Sequence, residues 1–132
     1  MKTVKGFPPN IKQIDEVLHT KSKPTVVYTY GDTVYIPNGE ALSDDLEVHE
    51  AVHIKQQAEM GAEEWWKKFL EDPEFRLSQE LEAYQAQWEY IEENKNRKMK
   101  RAMLKSIIES LTSSIYGNMV TKKEAERLLK DD

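Results

Sequence analysis

The chain has 132 residues, 39% hydrophobic and 33% charged, which excludes a disordered chain and fits one soluble globular domain over residues 1–132. Its formal net charge of −5 argues against nucleic acid as the main partner. With no cysteine it has neither a disulfide framework nor a thiolate metal site, which suits a reducing, cytoplasmic setting.

The first segment, MKTVKGFPPN, has no apolar core, so no secretory signal is expected. No apolar run approaches membrane-spanning length, so no membrane partner is expected either. PPNIKQIDEVLHT predicts a helix capped by Asn10, with Ile11, Ile14 and Leu18 as its apolar stripe. In TVVYTYGDTVYIPNG two β-rich runs flank Gly31-Asp32, which predicts a tight hairpin, and Pro37-Asn38-Gly39 ends its second strand. Tyr28, Tyr30 and Tyr35 are ordinary strand residues. A helix should follow from Ser43 or Asp44, with Asp44, Asp45 and Glu47 in its first turn, and stop near Gly61.

EEWWKKFLED predicts a short helix, with Trp65 and Trp66 as core and boundary aromatics. Asp72 then caps a long helix, PEFRLSQELEAYQAQWEYIEEN, that opens on Pro73. A further helix spans RKMKRAMLKSIIESLTSSIY and is broken by Gly117 and Asn118. The six basic residues of KNRKMKRAMLK read as a solvated face. The last helix opens with a capping box, Thr121 to Glu124. The whole reads as α+β, mostly helical with one small hairpin or sheet.

Two of the three histidines, His49 and His53, lie four residues apart in LEVHEAVHIKQQ. On a helix they share one face, so both rings can reach one ion. Glu50 sits beside that row, placed to take a proton from a zinc-bound water whose pKa the metal brings near neutral. Leu46, Val48, Ala51, Val52, Ile54 and Ala58 surround the motif on several sides and predict a helix largely enclosed by protein. A catalytic zinc takes a third protein ligand, and SQELEAYQAQW offers Glu80 and Glu82. Measured from Tyr84 at about 100° per residue, Leu77, Leu81, Trp88 and Ile91 mark the core side. Glu80 lies about 40° away and Glu82 about 160° away, so Glu80 is the expected ligand.

His49-Glu50-x-x-His53 followed by Glu80-x-x-Ala83 resembles the gluzincin class of zinc metallopeptidases, including small bacterial and phage members, over about Leu46 to Tyr84. The resemblance implies a minimal zincin-like domain with one Zn²⁺ per chain, His49, His53 and Glu80 as ligands, and Glu50 as base. It also implies a peptide or protein substrate, and a strand along the cleft that pairs with it. Where gluzincins often have an aspartate four residues after the third ligand, this chain has Tyr84. Its hydroxyl could orient a histidine or stabilise an oxyanion, or its ring could simply fill the core.

Two other readings compete. The Glu-x-x-His pairs Glu16/His19 and Glu50/His53 suggest a di-iron carboxylate bundle. Yet Glu16 and His19 fall about 160° and 140° from Ile14, away from the apolar stripe. The other reading is a non-catalytic zinc-stabilised binding or accessory protein acting through the basic helix or Trp65-Trp66. Glu50 argues against it, because a structural zinc closes its fourth position and needs no base. On the peptidase reading, an accessory protein partner could be needed for activity.

Overall fold

A computed structural model describes residues 1–113 and 119–130. The expected breaker Gly117-Asn118 lies outside the described residues. The elements are β1 (Lys2–Lys5), α1 (Ile11–Leu18), β2 (Tyr28–Tyr30), β3 (Thr33–Ile36), α2 (Asp44–Met60), α3 (Ala62–Glu71), α4 (Pro73–Asn94), α5 (Arg97–Leu111) and α6 (Lys122–Lys130). This is an α+β chain, mostly helical with a small sheet.

The hairpin stands as expected. Tyr30 pairs with Thr33 across Gly31-Asp32, and Gly31 has φ +66°, which a two-residue hairpin turn requires. The sheet has a third strand that the hydrophobic pattern did not announce: β1 pairs parallel with β3, giving the order β1-β3-β2. All four β1 residues are exposed, so backbone pairing holds the strand and no buried apolar alternation marks it.

Most helix ends follow their sequence signals. The Asp72 carboxylate accepts from the N–H groups of Glu74 and Phe75, with Pro73 as first helical residue. Thr121 and Glu124 close a reciprocal capping box. Gly61, at φ +90°, ends α2 with its N–H on Gln57 O and starts α3 directly. Two expectations need correction. Asn10 occupies the cap position of α1, but its side chain accepts no capping bond. The helix expected to run past Leu111 ends there, where the Thr112 hydroxyl turns back to Ile108 O; the rest of that expectation, residues 114–116, lies outside the described residues.

Two apolar clusters flank the middle of the molecule. One joins α4, α5 and α6 through Trp88, Ile91, Ile107, Leu111, Ala125 and Leu129. The other joins α1, β2 and α3 through Ile14, Tyr28, Trp65, Trp66 and Phe69. Between them α2 lies antiparallel along α4. Asp44 at the start of α2 meets Tyr90 and Lys95 near the end of α4, and Gln56 meets Gln79 and Glu82 near its beginning. No helix among the described residues is long and apolar enough to cross a membrane.

The corner between α3 and α4 is closed by Arg76, which is 6% exposed and donates from Nε to Phe69 O (2.8 Å) and from Nη2 to Leu70 O (3.0 Å). These carbonyls belong to the last turn of α3, where no intrahelical donor remains. Arg76→Ala is expected to destabilise the chain by about 2–4 kcal/mol through loss of its charge-assisted bonds to these carbonyls and their buried packing. Urea denaturation would measure it.

Candidate metal centre

The buried residues of α2 are Asp45, His49, Glu50, His53, Gln56 and Gln57, all of them polar. This corrects the expectation of an apolar helix enclosed on several sides. Leu46, Val48, Val52 and Ile54 are half-buried, and Ala51 and Ala58 are exposed. Hydrophobic burial does not drive this face inward. Specific polar partners on α4 and β2 hold it there.

The structure brings His49, His53 and Glu80 together. His49 Nε2 lies 3.2 Å from His53 Nε2 and 3.3 Å from Glu80 Oε1, and His53 Nε2 contacts Glu80 Oε1 at 2.5 Å. Both rings turn Nε2 inward, and both Nδ1 atoms meet amide oxygens: Gln87 Oε1 at 2.9 Å for His49 and Gln56 Oε1 at 2.9 Å for His53. The two wider separations match the roughly 3.3 Å edge of a tetrahedral zinc site with bonds near about 2.05 Å. Two neutral imidazoles and a carboxylate suit zinc and other borderline divalent ions. The side-chain set therefore fits a metal ion. Glu82 is exposed and stays outside the cluster, as the helical geometry predicted, with one oxygen accepting from Gln56 Nε2 at 3.3 Å.

The electrostatics of the metal-free chain show what holds these groups together. Burial alone would push the His53 ring toward its neutral form. The Glu80 carboxylate outweighs that, with Glu50 and the Gln56 amide adding to it, and raises His53 to about 9. Burial would likewise raise Glu80, but the charge and hydrogen bond of His53 hold it well below the usual carboxylate range. Without a metal, a proton on His53 takes up the space between the ligand atoms.

Glu50 lies beside this cluster. It is 5% exposed, accepts from Thr29 Oγ1 on β2 at 3.0 Å through Oε1, and has Oε2 3.8 Å from His49 Nε2. Tyr84, half-buried, sets its ring against His49 at a centroid distance of 4.5 Å. Trp65 faces His53 at 5.4 Å and donates to Gln79 Oε1. All of these except Gln79 line a cavity of about 580 Å³ that also reaches α1, the segment Thr25–Thr29 and the end of α5. Both Trp65 and Trp66 are buried and both line it.

β2 is the edge strand nearest this cavity, but part of its outer edge is already paired. Thr29 O accepts from Gln57 Nε2 (2.8 Å) and Trp66 Nε1 (2.9 Å), and Gly31 N donates to Gln57 Oε1 (2.7 Å). The expected pairing of an extended peptide with this strand is therefore blocked at those two groups.

The structure leaves Glu16 and His19 exposed on and beside α1, away from the cluster, so the second Glu-x-x-His pair does not join a bundle site. Sequence reasoning missed Thr29, Gln56, Gln87 and Asp45. Gln87 had a signal: it lies seven residues after Glu80, two turns on along the same face. Thr29 had none, because only the tertiary fold brings β2 to α2. Comparison with protein-family models, curated proteins and solved structures gives no match, so the site is read from its geometry alone.

Two outcomes are expected. His53 titrates at 6.5 when unfolded and about 9 when folded, so its contribution is full below pH 6.5 and lost as pH rises through 9. Glu80, lowered from 4.5, contributes above that value and loses it as pH falls further. In chelator, the thermal midpoint should therefore be highest between pH 4.5 and 6.5 and fall on either side. A metal-loaded chain should lose its metal and its added stability on acidification, because protons compete for the ligands. Calorimetry across pH with and without zinc tests both. Separately, Glu80→Gln should weaken zinc affinity about 10-fold or more, and Glu82→Gln far less, in a chelator-competition titration.

Proposed function

We propose that the chain is a zinc-dependent metallopeptidase of gluzincin type, hydrolysing peptide bonds in the cavity beside His49, His53 and Glu80. The observation that carries this reading is the position of Glu50. A structural metal site needs no carboxylate beyond its ligands. Here a further acidic side chain is buried next to the ligand atoms, with one oxygen held by Thr29 and the other facing the cluster.

A zinc ion held by His49, His53 and Glu80 would supply Lewis acidity, lowering the pKa of water and polarising a carbonyl. Glu50 accepts the water's proton at Oε2 and delivers it to the leaving amine as the C–N bond breaks. Thr29 donates to Oε1 and so fixes the carboxylate's orientation through the transfer. The surrounding aromatics keep bulk water away and strengthen these charge interactions. Tyr84, against His49 on the cavity wall, is the candidate donor to the developing oxyanion.

The cavity, about 580 Å³, is within the range that takes a peptide side chain or small ligand. Glu50→Gln should retain one zinc per chain and lose peptidase activity by at least about 100-fold, on the scale of general-base catalysis. His49→Ala and His53→Ala should lose metal and activity together. Elemental mass spectrometry and a fluorescence-quenched peptide library would measure these. Full activity in Glu50→Gln would overturn the mechanism.

A further inference from the structure

We infer that Gln87 and Asp45 form a directional relay that holds His49 in its metal-binding tautomer. The inference rests on the metal centre proposed above.

Asp45 is 5% exposed, and its Oδ2 accepts from Gln87 Nε2 at 2.8 Å. An ionised carboxylate only accepts, so it decides which end of the Gln87 amide faces it. The amide nitrogen must point to Asp45, and the amide oxygen must point to His49 Nδ1 at 2.9 Å. An amide oxygen also only accepts, so His49 must carry its proton on Nδ1. Its Nε2 is then a bare lone pair, aimed at His53 Nε2 and Glu80 Oε1. With the amide reversed, the proton would sit on Nε2 and His49 could not bind a metal there.

The other oxygen, Asp45 Oδ1, is buried with no hydrogen-bond partner among the described residues. Gln87 is thus the side chain through which this carboxylate is satisfied, and the pair acts as a unit. The position expected to orient a ligand is Tyr84, whose ring packs on the His49 ring. Gln87 does the orienting one turn further along α4. It touches neither substrate nor metal, so it is a positioning residue.

The test exploits the order acceptor–donor–acceptor along the relay. Gln87→Leu removes the acceptor and should weaken zinc affinity about 10- to 100-fold. The double variant Gln87→Glu with Asp45→Asn exchanges amide and carboxylate but keeps His49 Nδ1 facing an acceptor. The amide now at position 45 donates to the carboxylate now at position 87, and that carboxylate accepts from His49. This variant should bind zinc within a few-fold of the unaltered chain. Zinc affinity would be measured by chelator competition, and circular dichroism would confirm that each variant is folded.

In parallel, ¹⁵N shifts of the His49 ring in the metal-free chain should show Nδ1 protonated, and Gln87→Leu should shift the population toward Nε2-protonated. Unchanged zinc affinity in Gln87→Leu, or a double variant as weak as Gln87→Leu, would overturn the relay. If the unaltered chain took up no zinc, the metal centre would fall, and the His49 tautomer would still decide the relay by itself.

Discussion

The antiparallel register of α2 against α4 is the constraint on which the rest depends. The buried face of α2 is made of two histidines, two glutamines and two acids. Leaving even one such group unpaired costs about 1–3 kcal/mol. Sliding the helices by one turn would strand several at once, with no apolar packing gained in return. The flanking clusters around Trp88 and Trp65 supply cohesion without dictating register. The polar seam dictates it, aided at one end by the Asp44 contacts with Tyr90 and Lys95.

Thr29 makes the sheet's densest set of polar contacts to the helices, beside the Gly31 N–H on Gln57 and the packing of Tyr28. Thr29 gives its hydroxyl to Glu50 and its carbonyl to both Gln57 and Trp66. β2 is thereby docked on α2 and α3, and the carboxylate proposed as base is fixed relative to the ligands by the same contact. β1 is wholly exposed, while β2 and β3 bury Tyr28, Thr29, Thr33, Val34 and Ile36, so the sheet adds its own packing to the contact that holds its edge against a helix.

The parts visible in the sequence are those governed by local periodicity. The His49/His53 spacing, the choice of Glu80 over Glu82, the Gly31-Asp32 turn and the Asp72-Pro73 cap all follow from one element's geometry. The missed parts depend on two elements meeting. β1 has no burial pattern to betray it. Thr29 and Asp45 acquire meaning only when β2 and α4 come alongside α2. The enclosure expected for α2 failed for a physical reason: its apolar residues lie along the margins, and its inward face was reserved for polar partners. Tyr84 stands where gluzincins often have an aspartate and packs its ring on His49, while Gln87, on the neighbouring turn, meets the histidine's Nδ1.

The tandem tryptophans have an optical consequence. Trp65 presents its ring to His53, and Trp66 turns to the sheet, while Trp88 sits apart in the other cluster. An indole next to a cationic imidazole emits weakly, because the protonated ring accepts its excited electron. Removing that proton should brighten Trp65, and a paramagnetic ion in the same place should darken it. The chain thus contains its own fluorescent gauge of what occupies the space between His49, His53 and Glu80.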